Sequence, residues 1–222
     1  DLLISINGTP TQDITMDEVL GMLRGKIGES VDVVVRRGKN MEFPVTLVRE
    51  LIEVPTVKFG MIDDKNAKIG YLRIIEFTPQ TAQRVQDAID SFKKNNFTGM
   101  IIDLRNNPGG LITSVADVAD KFIDTGIIVS TKSRISEAAS VYTATPDATT
   151  MPKGIPIVVL INKGSASASE ILAGALKDYH LAYLVGERTY GKGSVQQVIP
   201  LYNADGVKLT MARYYTPSDV NI

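Results

Sequence analysis

The chain has no cysteine, no tryptophan and a single histidine, His180, in 222 residues. Without cysteine there are no disulfides, no thiolate metal ligands and no cysteine nucleophile. One histidine leaves a Ser-His-Asp arrangement a single candidate base. That residue sits in Lys177-Asp178-Tyr179-His180, at a helix end, where a surface or capping task is expected instead. No His/Cys/carboxylate group has metal-ligand spacing. Neither a Walker sequence nor a G-x-G-x-x-G following a strand is present. No metal, nucleotide or other cofactor is therefore expected. Charge of one sign is not in excess either: 24 Lys and Arg stand against 25 Asp and Glu, a formal net charge of −1. That balance gives no electrostatic footprint for nucleic acid or an anionic membrane. No apolar run is long enough to span a bilayer. The chain starts mid-pattern at Asp1 without an initiator Met and reads as a mature or trimmed piece.

What is present divides into three parts. In residues 1–49, Leu2-Leu3-Ile4-Ser5-Ile6 reads as a strand, Asn7-Gly8 as a tight turn, and Thr15-Met16-Asp17-Glu18 as a capping box opening a helix. Val31, Val33 and Val35, then Phe43 to Val48, supply two closing strands. Residues 50–70 are expected as a connector, with Asp63-Asp64-Lys65-Asn66 a turn. Strands and helices then alternate to Gly186. Strands are expected at Ile69–Ile74, Gly99–Leu104, Ile127–Ser130, Ile155–Ile161 and Ala182–Gly186, and helices over 78–95, 115–123 and 169–177. The alternation predicts a layered α/β core over 50–222. Residues 133–154 are polar, threonine-rich and patternless, and are expected to form a mobile loop.

Two segments carry chemistry. Arg105-Asn106-Asn107-Pro108-Gly109-Gly110 follows a buried strand and precedes a helix, where backbone N–H groups can face a developing oxyanion. Gly164-Ser165-Ala166-Ser167-Ala168-Ser169-Glu170 sets small hydroxyl residues in a second strand-to-helix turn. There a serine oxygen lies in the positive field of the helix N-terminus, and first-turn N–H groups lack helical partners. Ser165, Ser167 and Ser169 are all candidates, and spacing does not choose between them. Lys192, between Gly191 and Gly193, is the candidate base. A serine hydroxyl needs a neighbour to take its proton, and the flanking glycines allow a tight path that presses the lysine side chain inward.

Together these segments resemble the carboxyl-terminal processing, or tail-specific, proteases, which are Ser/Lys peptidases with a PDZ domain. The resemblance rests on the first 49 residues, which are similar to the second half of a PDZ domain, on Asp103-Leu104-Arg105-Asn106-Asn107-Pro108-Gly109-Gly110, on Ser165-Ala166-Ser167-Ala168-Ser169-Glu170, and on Gly186-Glu187-Arg188-Thr189-Tyr190-Gly191-Lys192-Gly193. It implies Ser167 as nucleophile, Lys192 as base, Gln196 (with Gln197 the lesser neighbour) supporting the lysine, and Gly110 and Ala168 N–H groups as oxyanion donors. The implied fold is a crotonase/ClpP-like core plus the C-terminal half of a PDZ domain. The implied substrate is a protein recognised by its C-terminal tail, with an activator or adaptor protein and a homo-oligomer as further partners and a bacterial periplasm or envelope as location. The family's gating further implies that Lys192 lies out of reach of Ser167 in the free protein. Two other classes stand beside this reading: a non-catalytic PDZ-containing scaffold and a crotonase-type acyl-CoA enzyme.

Overall fold

The computed structural model describes residues 1–51, 55–64, 66–134, 139–202 and 205–222. The chain separates into two units, Asp1–Val54 and Pro55–Ile222. The first unit is a four-stranded sheet, β2-β1-β3-β4, built from β1 (Leu2–Ile6), β2 (Thr9–Pro10), β3 (Ser30–Arg37) and β4 (Met41–Val48), with helix α1 (Met16–Leu23). The expected capping box is present: the Thr15 Oγ1 accepts the Glu18 N–H, and the Glu18 carboxylate accepts the Thr15 N–H at 2.7 Å. Ile6, Val31 and Val33 make a small core with Val19, Met22 and Leu23 packed on it. Arg49 closes the other end of α1 by donating to the Met22 and Leu23 carbonyls, the last-turn acceptors a helix leaves unpaired.

The second unit holds the main core. Its five-stranded sheet runs β11-β10-β7-β6-β5, from β5 (Val57–Asp64), β6 (Ala67–Ile74), β7 (Gly99–Asp103), β10 (Ile157–Ile161) and β11 (Ala182–Gly186). The pairings are parallel except β5 with β6. Side chains alternate across β6. Gly70, Leu72 and Ile74 are buried against the helices, whereas Tyr71 and Arg73 are half-buried on the opposite face. Gly70 has to be glycine, because a Cβ there would sit 2.6 Å from the Phe92 ring. Helices α2 (Thr81–Lys94), α3 (Ile112–Ala119) and α4 (Ala168–Asp178) cover the buried face, contributing Val85, Ile89, Phe92, Val115, Val118, Ile171 and Leu172 to one continuous core. A second, antiparallel sheet, β12-β13-β8-β9, comprises β8 (Gly126–Lys132), β9 (Ser140–Ala144), β12 (Ser194–Pro200) and β13 (Gly206–Tyr215). Among the described residues no helix is long and apolar enough to cross a membrane.

Two expectations need correction. The stretch expected as a connector, residues 50–70, is largely sheet: Val57–Asp64 pairs along its length with β6, and only the Lys65 part of the expected turn lies outside the described residues. Val57, Phe59 and Met61 alternate with Lys58, Gly60 and Ile62, which is the edge-strand pattern that the Asp63-Asp64 pair obscures. The expected mobile loop, residues 133–154, contains β9 and a 3₁₀ turn, Pro146–Ala148; residues 135–138 of that stretch lie outside the described residues. Ala144 and Met151 are buried and join the core. Threonine richness marks β-branched strand residues here as readily as a loop.

Candidate active site

The carboxyl ends of the adjacent parallel strands β7 and β10 lead into the two turns singled out in the sequence, so both chemistry-bearing segments emerge at one edge of the sheet. After β7, Asn107 organises its turn from inside. Its side chain is fully buried, donates to the Ile74 carbonyl and accepts the Gly109 N–H at 2.8 Å. Its own carbonyl accepts the Ala166 N–H and the Ser169 hydroxyl, both at 3.0 Å, which binds the first turn to the second. Gly109 is so close to that second turn that a Cβ would lie 2.8 Å from the Ser167 Cβ and 3.0 Å from the Ala168 nitrogen. Gly110, at φ 141°, has no room for a side chain against the Phe77 backbone. The Gly109 carbonyl and the Leu111 N–H are used by Phe77, whereas the Gly110 N–H has no hydrogen-bond partner among the described residues.

Three serines that spacing alone does not separate are separated by packing. Ser165 is fully buried and its hydroxyl donates to the Leu104 carbonyl at 2.8 Å; Ser169 is fully buried and donates to Asn107. Both hydroxyls are consumed by structure. Ser167 is partly exposed and stands at the N-cap of α4 with φ 56° and ψ −114°. That is a sparsely populated backbone region for a residue with a Cβ, and costs of order 1–3 kcal/mol. A strained strand-to-helix serine of this kind projects its Oγ out of the turn. The Ser167 side chain engages no other side chain among the described residues. The Ala168 N–H, the first of the helix, is also without a partner among the described residues.

Glu170 is the residue that sequence reasoning passed over. It is buried, and its carboxylate accepts three backbone N–H groups: Gly191 at 2.6 Å on one oxygen, and Ser167 and Lys192, both at 2.8 Å, on the other. One carboxylate therefore joins the serine turn to the lysine loop. A further bond, from the Tyr190 N–H to the Ser165 carbonyl at 3.0 Å, fastens the same loop. The signal in the sequence was an acid three residues after a candidate N-cap, which reads as half a capping box; its partners 21 and 22 residues away are a tertiary matter.

Lys192 is brought to the serine turn by its backbone. Its side chain is exposed, not pressed inward as expected, because the three N–H bonds hold the main chain and leave the flanking glycines to set only its path. No hydrogen bond joins the Lys192 Nζ to the Ser167 hydroxyl. Lys192 and Gln196 line a cavity of about 570 Å³ together with Pro108 and Ala166, the neighbours of Gly109 and Ser167. His180 is exposed and occupies the left-handed position (φ 55°) that ends α4, with its own N–H on the Lys177 carbonyl and the Leu181 N–H on that of Leu176. That is a helix stop.

Beside the site, buried Asp103 accepts the Arg105 guanidinium at 2.7 and 2.9 Å and the Tyr71 hydroxyl at 2.6 Å. Burial pushes its carboxyl upward, but the Arg105 and Tyr71 hydrogen bonds outweigh this and hold it at about 2. Burial, and then Asp103, raises the Tyr71 phenol.

A backbone-strained serine at a helix N-terminus, two N–H groups on adjoining turns that have no partner among the described residues, and a lysine loop clamped beside them meet what nucleophilic chemistry without histidine requires, in a mixed α/β protein with several sheets. Residues 68–222 match the sequence model of peptidase family S41, and the chain belongs to that family. It is 39% identical over 227 residues to a carboxy-terminal-processing protease of Bartonella bacilliformis, and 37% identical over 224 residues to a carboxyl-terminal-processing protease of a Synechocystis species. All of this chain is covered in both cases, against 51% and 52% of those relatives. The chain thus spans about half the length of the curated relatives it matches. The solved photosystem II D1 C-terminal processing protease superposes with a TM-score of 0.67 at 32% identity, covering 99% of this chain and 59% of that one.

Proposed function

We propose that this chain carries the site of a serine peptidase that hydrolyses peptide bonds near protein C-termini or in unfolded proteins. The observation that carries the reading is the Glu170 carboxylate, which fixes the Ser167 turn and the Lys192 loop on one point. Ser167 attacks the scissile carbonyl carbon, and neutral Lys192 accepts the hydroxyl proton. The Gly110 and Ala168 N–H groups receive the oxyanion. Collapse of the tetrahedral adduct expels the amine, which takes the proton from Lys192, and water then hydrolyses the acyl-enzyme with the lysine again serving as base. Gln196, on the cavity wall with Lys192, supports the lysine side chain. Proton transfer needs the lysine within about 3 Å of the serine. The two are not hydrogen-bonded here, so the working site requires movement of the Lys192 side chain towards Ser167.

The first unit is the C-terminal half of a PDZ domain that takes the substrate tail and gates the site, and the second is a crotonase/ClpP-like layered core. The protein works outside the cytoplasm, with an activator or adaptor and a homo-oligomeric state as expected partners. Membership of a peptidase family disfavours both the acyl-CoA enzyme and the inert scaffold. The test is hydrolysis of casein by the protein and by its Ser167→Ala and Lys192→Ala variants. Folded but inactive variants beside an active parent support the assignment; cleavage by Lys192→Ala refutes it.

A further inference from the structure

The cavity beside Ser167 has an asymmetry of charge. Its lining takes the small apolar residues Pro108 and Ala166 from the two strand-to-helix turns, and Lys192, Gln196 and Lys208 from the lysine loop and the β12–β13 hairpin. No aspartate or glutamate is among the lining residues, although the chain as a whole has a net charge of −1. Glu170, which holds the Gly191 and Lys192 backbone of the lining, is buried and its oxygens are occupied by three N–H groups. Lys208 reaches the cavity by register. It lies on β13 opposite Val198 of β12, and Gln196 is two residues along β12 from Val198, so Lys208 and Gln196 stand diagonally on one face of the hairpin. Lys93, Lys132 and Lys153 of this unit pair with Asp90, Asp219 and Asp124, whereas the two lysines of the cavity, Lys192 and Lys208, pair with no carboxylate among the described residues.

We propose that Lys208 is a specificity-determining residue that receives a carboxylate of the substrate peptide in this cavity. The proposal rests on the peptidase reading and adds a substrate class to it. Lys192 is committed to Ser167 in the proposed mechanism. Lys208 is the cation left to receive a carboxylate. About 570 Å³ is within the range of cavities that hold small ligands. The cavity thus has room for a peptide residue whose apolar stem faces Pro108 and Ala166 and whose carboxylate faces Lys208. That carboxylate comes either from an Asp or Glu side chain or from the free C-terminus of the peptide.

The experiment uses matched fluorogenic peptides of one sequence, with Glu replaced by Gln at each position near the cleaved bond in turn, and with the C-terminus free or amidated. The ratio of kcat/KM for the charged over the neutral member is read for the protein and for Lys208→Met, Lys208→Arg and Lys208→Glu. The same pairs, fluorescein-labelled, are titrated into Ser167→Ala to give a ratio of Kd values. An exposed or half-exposed ion pair predicts a ratio of about 3 to 10 in favour of the carboxylate at low salt, shrinking as salt rises. Lys208→Arg keeps the ratio, Lys208→Met brings it to about 1, and Lys208→Glu inverts it. Loss of the ratio on amidation assigns the C-terminal carboxylate; loss at one Glu position assigns the side chain. A ratio near 1 in the unmodified protein, or one that survives both Lys208→Met and Lys208→Glu, overturns the proposal. Absence of any turnover with a normal Kd ratio sinks the peptidase reading and leaves carboxylate binding standing, so the two failures are distinguishable.

Discussion

Replacing Glu170 by Gln removes one negative charge and one acceptor while keeping side-chain size, and its consequence can be worked from the three hydrogen bonds. Glutamine has a single acceptor oxygen. If that oxygen takes the place nearest Ser167 and Lys192, the amide NH₂ faces the Gly191 N–H, donor against donor; the reverse rotamer turns two N–H groups away instead. A charge-assisted hydrogen bond is worth about 1.5–3 kcal/mol, and a buried donor left unpaired costs about 1–3 kcal/mol. A loss near 3 kcal/mol in the alignment of the serine turn and the lysine loop lowers the rate about 100-fold, at 1.36 kcal/mol per factor of ten. Glu170 does not line the cavity, so the loss falls in kcat with KM little changed. The assay is steady-state cleavage of a peptide substrate, with thermal unfolding measured on the same samples. Activity within about threefold of the parent, or a loss explained wholly by unfolding at the assay temperature, refutes the clamp.

Other outcomes follow from the same structure. Ser165→Ala and Ser169→Ala each delete a buried hydroxyl that donates to a carbonyl, and are expected to lower stability by about 1 kcal/mol while turnover persists; chemical denaturation and the peptide assay check both. Gly110→Ala sets a Cβ against the Phe77 backbone at a φ of 141°, which displaces the free N–H. A 10²- to 10³-fold fall in kcat, about the value of one oxyanion donor, is expected by steady-state kinetics. The Asp103 carboxyl titrates at about 2 in the folded protein against 3.8 ordinarily. Its folded value is depressed, so its contribution is present above pH 4 and is lost as pH falls towards 2. That contribution is on the order of 2 kcal/mol, and Asp103→Asn flattens the acid limb of the stability profile measured by denaturant titration.

The alternating core was readable because each buried element repeats its signal. Leu72, Ile74, Met100, Ile102, Ile157 and Val159 recur at period two, and Val85, Ala88, Ile89 and Phe92 recur at helical spacing. The antiparallel β12–β13 hairpin was not anticipated. Its first strand, Ser-Val-Gln-Gln-Val-Ile-Pro, mixes polar and apolar residues without a clean period, and both strands are mostly exposed, so burial imposes little pattern on them. At the site, spacing alone leaves Ser165, Ser167 and Ser169 open because they are chemically alike. The family resemblance points to Ser167, and burial and backbone angle supply the physical distinction. The role of Glu170 was hidden for a different reason. A local capping pattern explains an acid at that place, while its bonds to Gly191 and Lys192 exist only once the lysine loop has folded onto the helix.

Reaction of the protein with a fluorophosphonate, followed by peptide mapping by mass spectrometry, probes the proposed nucleophile directly. A single adduct on Ser167, abolished or strongly slowed in Lys192→Ala, is the predicted result. An adduct on another serine, or labelling of Ser167 at an undiminished rate without Lys192, contradicts it.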